Sequence, residues 1–188
     1  MADPPNGDAV LFALAEPHVA LVTINRPEAR NAVNGAVAAG LELLLACDLA
    51  VAAETATLGL PEVKRSLVAA AGGVFRLPRA LPKAIALQMI ATGEPIPAAR
   101  AAHFGLVNEV VPTAEVRSSA LALARKVCAN APIAVRESLA IARQAADLDQ
   151  DALWELSRAA GQRIRQTEDF QEGPRAFVEK RPPRWVGR

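Results

Sequence analysis

The 188-residue sequence contains no tyrosine, and only two histidines, two cysteines and two tryptophans. His18 lies at a turn and His103 precedes Phe104, so the chain has no pattern typical of a zinc-ligand cluster or of a Ser-His-Asp relay. Cys47 and Cys128 are far apart within apolar runs, which predicts reduced, buried thiols and not a disulfide framework. We therefore expect no metal site and no covalent cross-link.

An excess of charge of either sign is also lacking. Twenty-one basic and twenty acidic residues leave a formal charge of +1, so the composition indicates neither a nucleic acid nor a charged membrane surface as a partner. The apolar runs, such as residues 41–47, are too short to span a membrane. Because residues 1–8 lack the basic and apolar segments of a signal peptide, a cytoplasmic location is expected.

The first part of the chain has the pattern of an α/β layer. Alternating residues predict a hairpin from strands 10–15 and 18–25, with a turn at Glu16 and Pro17. Helices are predicted over 41–47, from Pro61 onward, and over 80–91 and 97–103, and strands over 48–53 and 106–111. The 52% hydrophobic content and the length suffice for one sizeable core.

The pattern changes after residue 112. Four long helices are predicted over 114–130, 133–146, 150–166 and 168–180. We therefore divide the chain into an α/β core, residues 1–112, and a helical region, residues 113–188.

Glu42 and Glu62 are the most informative residues for function. They lie 20 residues apart, beside glycine or proline and among small or apolar residues. Burial in an apolar wall disfavours the charged form of a carboxylate, and such a pair can divide acid and base work near neutral pH. The alternative interpretation is structural: Glu42 decorates a helix start, and Glu62 opens another helix after Pro61.

The sequence around these glutamates resembles that of the crotonase superfamily, which contains the enoyl-CoA hydratases and isomerases. Successive motifs carry the resemblance over most of the chain: NRPEARNAV, AAGLELLLACDLAVA, LGLPEVKRSLVAAAGG, TGEPIPAARAAHFGLVNEVV and TEDFQEGPRAFVEKR. The fold that this resemblance implies is α/β, a crotonase-like spiral of strand-strand-helix units followed by an α-helical C-terminal region. The spiral is shortened here, because several dozen residues that relatives carry between positions equivalent to 33 and 41 are absent.

The resemblance implies site residues for a reaction on an acyl-CoA thioester. Glu42 would orient and deprotonate a water, and Glu62 would hold that water and exchange the proton at the substrate α-carbon. The backbone N–H of Ala39, with Gly40 following, would form half of an oxyanion hole. The other half comes from a CAGADL-like loop in relatives, and this sequence contains no such loop. Gly40, Ala70, Gly72, Phe177 and Lys180 are the implied substrate-binding positions.

Three functions follow as hypotheses. The first is hydration of a 2-enoyl-CoA, because hydratase-type members carry both acids and isomerase-type members carry one. The second is a non-catalytic subunit that keeps the helical region for association, and the third is a deleted form of an active parent. The resemblance implies no cofactor, since coenzyme A belongs to the substrate, and a homotrimer or dimer of trimers in which Phe177 and Lys180 approach the neighbouring site.

Overall fold

The computed structural model describes residues 10–16, 19–24 and 40–188. The chain divides into two compact units, Met1–Ala122 and Leu123–Arg188, here called the core unit and the helical unit. The predicted domain boundary after residue 112 stays a prediction. Among the described residues, none of the helices has the length and apolarity that a membrane crossing requires.

A two-stranded antiparallel hairpin begins the core unit, as the alternating pattern predicted. Strand β1 (Val10–Glu16) pairs with β2 (Val19–Ile24), with Phe12 opposite Val22 and Leu14 opposite Ala20. Phe12 and Leu14 are 68% and 69% exposed, so one face of the hairpin is apolar and open. In the described part of the chain, neither strand pairs with any other strand.

The rest of the core unit alternates short strands and helices. Helix α1 (Gly40–Ala46) leads into β3 (Val51–Ala53) and β4 (Thr57–Leu58), and a 3-10 helix follows over Pro61–Arg65. Next come three helices and two strands: α2 (Gly73–Ala80), α3 (Lys83–Thr92), β5 (Ile96–Pro97), α4 (Ala98–His103) and β6 (Glu109–Val111). The predicted α1, α3, α4, β3 and β6 are confirmed within a few residues. The helix predicted from Pro61 onward ends at Arg65, and the short β4 and β5 were not predicted.

Parallel pairing joins the two ends of this segment. Strand β3 pairs with β6 in parallel, and the Asn108 side chain and backbone close the start of the ladder on Ala50 at 2.8 Å each. Strands β4 and β5 form a separate antiparallel pair. Among the described strands, β3 has β6 as its neighbour.

The apolar core lies between these elements. Leu77, Ala86, Ala98 and Ala101 have no exposed surface, and Met89 is 2% exposed. The other buried members of this cluster are Leu41, Ala52, Leu58, Leu60, Ala69, Leu81, Ile96, Leu106 and Val107. This core fixes the positions of α1, the 3-10 helix and α2, which carry the candidate site.

Four helices complete the chain, close to the predicted ranges. Helix α5 (Val116–Cys128) contains the boundary between the units, and α6 (Pro132–Ala142), α7 (Gln150–Arg165) and α8 (Glu168–Val178) follow. Asp149 caps α7 by accepting from Ala152 N at 2.9 Å, and Thr167 caps α8 in the same way. Contrary to the prediction of buried thiols, Cys47 and Cys128 are exposed, because both lie at helix ends outside the packed faces.

Helix α8 has an inverted distribution of polarity. Its buried positions are Asp169, Glu172 and Ala176, while Phe170 and Phe177 are exposed. The buried carboxylates bind the C-terminal tail: Asp169 accepts from Val186 N and Gly187 N, and Glu172 accepts from Arg184 N. We call this set of contacts between α8 and residues 181–188 the tail clasp.

Candidate active site

Glu42 is held inside the core unit by the first turn of α1. The segment GLELLLA forms a helix because leucine, glutamate and alanine have high helix propensity, and Glu42 lies on the same inward turn as the buried Leu41. The side chain is only 2% exposed. Its Oε1 accepts a hydrogen bond of 2.8 Å from the backbone N–H of Gly73.

Glu62 lies in the first turn of the 3-10 helix Pro61–Arg65, directly after the buried Leu60. Proline at the helix start suits the fixed φ of that residue. Two contacts hold this helix against the end of α3: Lys64 forms an ion pair with Glu94, and its side chain also packs beside Gly93. Glu62 therefore lies on a short element that Lys64 holds against the end of α3.

The two glutamates share one feature. Each has a buried Oε2 atom that finds no hydrogen-bond partner among residues 10–16, 19–24 and 40–188. An unpaired buried polar atom costs about 1 to 3 kcal/mol, so such atoms are uncommon without a functional reason. The Leu60 Cδ2 and the Glu42 Oε1 approach the same point beside Gly73, and Glu62 follows two residues after Leu60.

A glycine turn supports Glu42. Gly72 has a φ of 109° and precedes α2, which begins at Gly73. A Cβ atom on Gly73 would lie 3.0 Å from the Glu42 Oε1 and 2.9 Å from the Leu60 Cδ2, so a larger residue would displace the carboxylate. The anion that the Gly73 N–H meets at this helix start is the Glu42 carboxylate itself.

Arg76 belongs to this turn and was not recognised from the sequence. Its Nη1 donates to the Ala71 carbonyl at 2.9 Å, and its backbone N donates to the Gly72 carbonyl at 3.0 Å. The only available signal was its position one helical turn after Gly72, and that spacing is common on any helix.

The remaining predicted site residues are distributed over both units. Ala39 lies outside the described residues, and Gly40 is the first residue of α1. Ala70 is exposed and precedes the glycine turn, whereas Gly72 is buried within it. Phe177 and Lys180 belong to the helical unit, where Phe177 is 86% exposed.

Lys180 occupies a position that usually holds glycine. It has a φ of 52° just beyond the end of α8, where its N–H bonds the Phe177 carbonyl and the Arg181 N–H bonds the Ala176 carbonyl. This is a Schellman arrangement, and a left-handed residue with a side chain costs about 1 to 2 kcal/mol. Lys180 is therefore present at a backbone position that its side chain disfavours.

The chemistry of the described residues is that of carboxylates in an apolar setting. Within the ranges that the structure covers, no group of three His, Cys, Asp or Glu side chains could hold a metal ion. Glu42 and Glu62, next to a helix N-terminus and a buried leucine, are suited to proton transfer and to holding a small polar molecule.

Known proteins resemble this chain in both sequence and structure. The family model described as enoyl-CoA hydratase/isomerase matches residues 31–188. A carnitinyl-CoA dehydratase from Salmonella arizonae is 40% identical over 172 residues, which are 89% of this chain and 66% of that protein. The chain thus spans about two thirds of the length of this relative.

Solved structures of enoyl-CoA hydratases give the same result. The enzyme from Mycobacterium tuberculosis H37Rv has a TM-score of 0.84 at 30% identity, covering 96% of this chain and 99% of that chain. The enzyme from Bacillus anthracis has a TM-score of 0.76 at 38% identity, covering 79% of this chain and 58% of that chain. The fold is the crotonase fold with a helical C-terminal region, as predicted. The chain belongs to the enoyl-CoA hydratase/isomerase family of the crotonase superfamily.

Proposed function

We propose that this protein is a hydro-lyase that adds water across the double bond of a 2-enoyl-CoA thioester. Both the matched family and the hydro-lyase activity in the name of its carnitinyl-CoA dehydratase relatives support a hydratase or dehydratase type of enzyme. The substrate class is proposed from the family, and coenzyme A enters as part of the substrate. The chemistry needs no further cofactor.

Glu42 and Glu62 would divide the proton transfers. Glu42 takes a proton from water as the water oxygen bonds to the β-carbon, and Glu62 gives a proton to the α-carbon as the carbon-carbon double bond becomes single. Water thereby supplies the hydroxyl group, and the proton delivered to carbon is replaced from the one removed from water. Negative charge passes through the thioester oxygen, where backbone N–H groups stabilise it.

The oxyanion hole is the part of the proposal that the short chain weakens. One donor would be the N–H of Ala39, and the sequence has no counterpart of the loop that supplies the second donor in relatives. Loss of one such donor typically costs about 3 kcal/mol of transition-state stabilisation, or roughly a hundred- to a thousandfold in rate. We therefore propose a low turnover rate for this chain.

One observation carries the proposal: the two buried Oε2 atoms of Glu42 and Glu62 that have no partner among the described residues. A structural carboxylate on a helix start is normally solvated or fully hydrogen-bonded. Two half-satisfied carboxylates in the core unit are suited to a water molecule and a reacting carbon.

The experiment follows the loss of the conjugated thioester absorbance of crotonyl-CoA. The unsubstituted chain should turn over, and Glu62→Gln should lower kcat by about 10²- to 10⁴-fold, because an amide cannot donate the proton. Glu54→Gln is the matched control, since Glu54 is an exposed glutamate of the same unit. Turnover that is equal in the Glu62→Gln and Glu54→Gln chains would refute the assigned roles.

The helical unit would provide the oligomer. We propose a homotrimer or dimer of trimers in which α8 presents its exposed face, with Phe170 and Phe177, to a second copy. Lys180 would reach the neighbouring acyl-CoA, and its disfavoured backbone conformation supports a role beyond folding.

A non-catalytic subunit is the second candidate. The missing oxyanion loop and the exposed apolar face of α8 favour it, because both are compatible with association in the absence of turnover. An oligomer that binds crotonyl-CoA without converting it would identify this function.

A further inference from the structure

Arg76 bonds two consecutive carbonyl groups of the turn that carries Gly73. Its Nη1 donates to the Ala71 oxygen at 2.9 Å, and its backbone N donates to the Gly72 oxygen at 3.0 Å. The side chain therefore holds the Ala71 peptide plane, while the bond to the Gly72 carbonyl is the first backbone bond of α2.

The guanidinium also fills the space above Gly72. A Cβ atom built on Gly72 would lie 2.0 Å from the Arg76 Nη1 and 3.2 Å from the Phe75 ring. The guanidinium carbon lies 5.1 Å from the centre of the Phe75 ring, within cation-π range. Arg76 is thus fixed by a carbonyl on one side and by an aromatic ring on another.

The turn under Arg76 determines where Glu42 points. Gly72 has a φ of 109°, and glycine reaches many other conformations at little cost. Only a turn that keeps its present shape directs the Gly73 N–H at the Glu42 Oε1, 2.8 Å away. A contact that restricts Gly72 therefore also restricts the buried carboxylate.

We propose that Arg76 is a positioning residue for Glu42, acting through the Ala71–Gly73 turn. The functional part of this inference rests on the proposed function, in which Glu42 accepts the proton of water. Arg76 touches neither the substrate nor Glu42 in this scheme, so its effect belongs to kcat and leaves KM unchanged. A misplaced reacting group can lower a rate by up to about a hundredfold.

The test compares full-length chains with Arg76→Ala, Arg76→Lys and Arg100→Ala. Arg100 is the matched control, because its guanidinium also lies near a ring, 5.9 Å from Phe104, on a helix of the same unit. The first readout is the amide proton resonance of Gly73 by NMR, with Glu42→Ala as the reference for a lost hydrogen bond. The second readout is kcat and KM with crotonyl-CoA. These are measured with added guanidinium chloride and, as the control, with sodium chloride at the same concentration.

We expect Arg76→Ala to move the Gly73 resonance to its position in Glu42→Ala and to lower kcat without changing KM. Guanidinium ion, but not sodium, should restore part of both signals, and Arg76→Lys should keep part of them because the lysine ammonium can still donate to a carbonyl. Arg100→Ala should match the unsubstituted chain.

A Gly73 resonance that stays unchanged in Arg76→Ala while Glu42→Ala shifts it would overturn the proposal. So would a loss that neither guanidinium ion nor lysine restores, since that result indicates general disruption of α2. If Arg76→Ala does not fold, the Arg76→Lys chain decides by the same two signals. Absence of turnover in the unsubstituted chain would refute the proposed function alone, because the Gly73 resonance still reports whether Arg76 holds the turn.

Discussion

The core unit and the helical unit bury different kinds of side chain. The core unit encloses leucines, Met89 and Ile96 in one apolar cluster. In the helical unit, the buried apolar residues among those described are Ala160 and Ala176, and Asp169 and Glu172 are buried beside them. The core unit is therefore held by apolar burial, whereas the helical unit depends more on the polar tail clasp.

The difference has a physical consequence for each unit. Apolar burial is non-directional and contributes roughly in proportion to the area removed from water. Charge-assisted hydrogen bonds are directional and respond to pH and salt. Trp154 and Trp185, the two tryptophans of the sequence, both lie in the helical unit, so their fluorescence reports on that unit alone.

The largest expected effect is on the core unit. Leu77→Ala should destabilise it by about 2 to 5 kcal/mol, since Leu77 has no exposed surface and its removal leaves a cavity. Leu156→Ala in α7, where the residue is half-buried, should cost less. Urea unfolding followed by circular dichroism and by tryptophan fluorescence separates the two units. Equal losses of unfolding free energy in the two variants would contradict the contrast between an apolar core unit and a more polar helical unit.

The exposed face of α8 should control assembly. Phe177→Ser should weaken association by about 1.5 to 3 kcal/mol, the value for burying a phenylalanine, and light scattering over a concentration series measures the shift. Val186→Ser serves as the control, because Val186 is exposed but lies in the tail. A particle of unchanged size in the Phe177→Ser chain would exclude this face from the interface.

The tail clasp should be sensitive to acid. Hydrogen bonds from Arg181, Arg175 and the Arg184 backbone hold the pKa of Glu172 far below its usual range. A carboxyl with a lower pKa in the folded state binds fewer protons than in the unfolded state, so its contribution is complete above about pH 4.5 and falls as the pH drops below that value.

Glu172→Gln should therefore lower the midpoint of tryptophan-detected unfolding at pH 7 and flatten its decline in acid. The matched variant is Glu179→Gln, which removes an exposed carboxylate that also binds Arg181. Unchanged stability of the helical unit between pH 5 and pH 3 would contradict this account, because that range spans roughly the ordinary pKa of glutamate.

The smallest expected effect is at the end of α8. Lys180→Gly should stabilise the helical unit by about 1 kcal/mol, because glycine adopts the left-handed conformation without strain. If Lys180 reaches acyl-CoA, the same substitution should weaken binding of crotonyl-CoA. Titration calorimetry and thermal unfolding of one sample measure both effects, and a loss of stability would refute the strain.

The sequence predicted the elements well where periodicity is local. The hairpin, α1 and the four C-terminal helices follow from alternation, helix propensity and capping residues such as Asp149. It did not predict the short β4 and β5 pair, which depends on tertiary packing. Nor did it predict the inward position of Asp169 and Glu172, because carboxylates on a helix usually face solvent and their partners lie 9 to 18 residues later in the chain.

The candidate site could be predicted only in part, because some of its contacts join residues that are far apart in the sequence. Glu42 and Glu62 were chosen from their apolar context and from the family resemblance, and the structure adds their unpaired oxygens. The contact between Glu42 and Gly73 joins residues 31 positions apart, and no sequence period encodes it. The sequence did not identify Arg76, because its side chain donates to a backbone carbonyl and any arginine could make such a contact.

Isotope incorporation shows whether the two glutamates add water to the double bond. The unsubstituted chain is incubated with crotonyl-CoA in ¹⁸O-water or in deuterated water, and the product is analysed by mass spectrometry. The account predicts one ¹⁸O at the β-carbon and one deuterium at the α-carbon, both lost in Glu42→Gln and in Glu62→Gln and both kept in Glu54→Gln. Deuterium without ¹⁸O would indicate double-bond migration, and labelling that survives both substitutions would contradict the role of the two carboxylates.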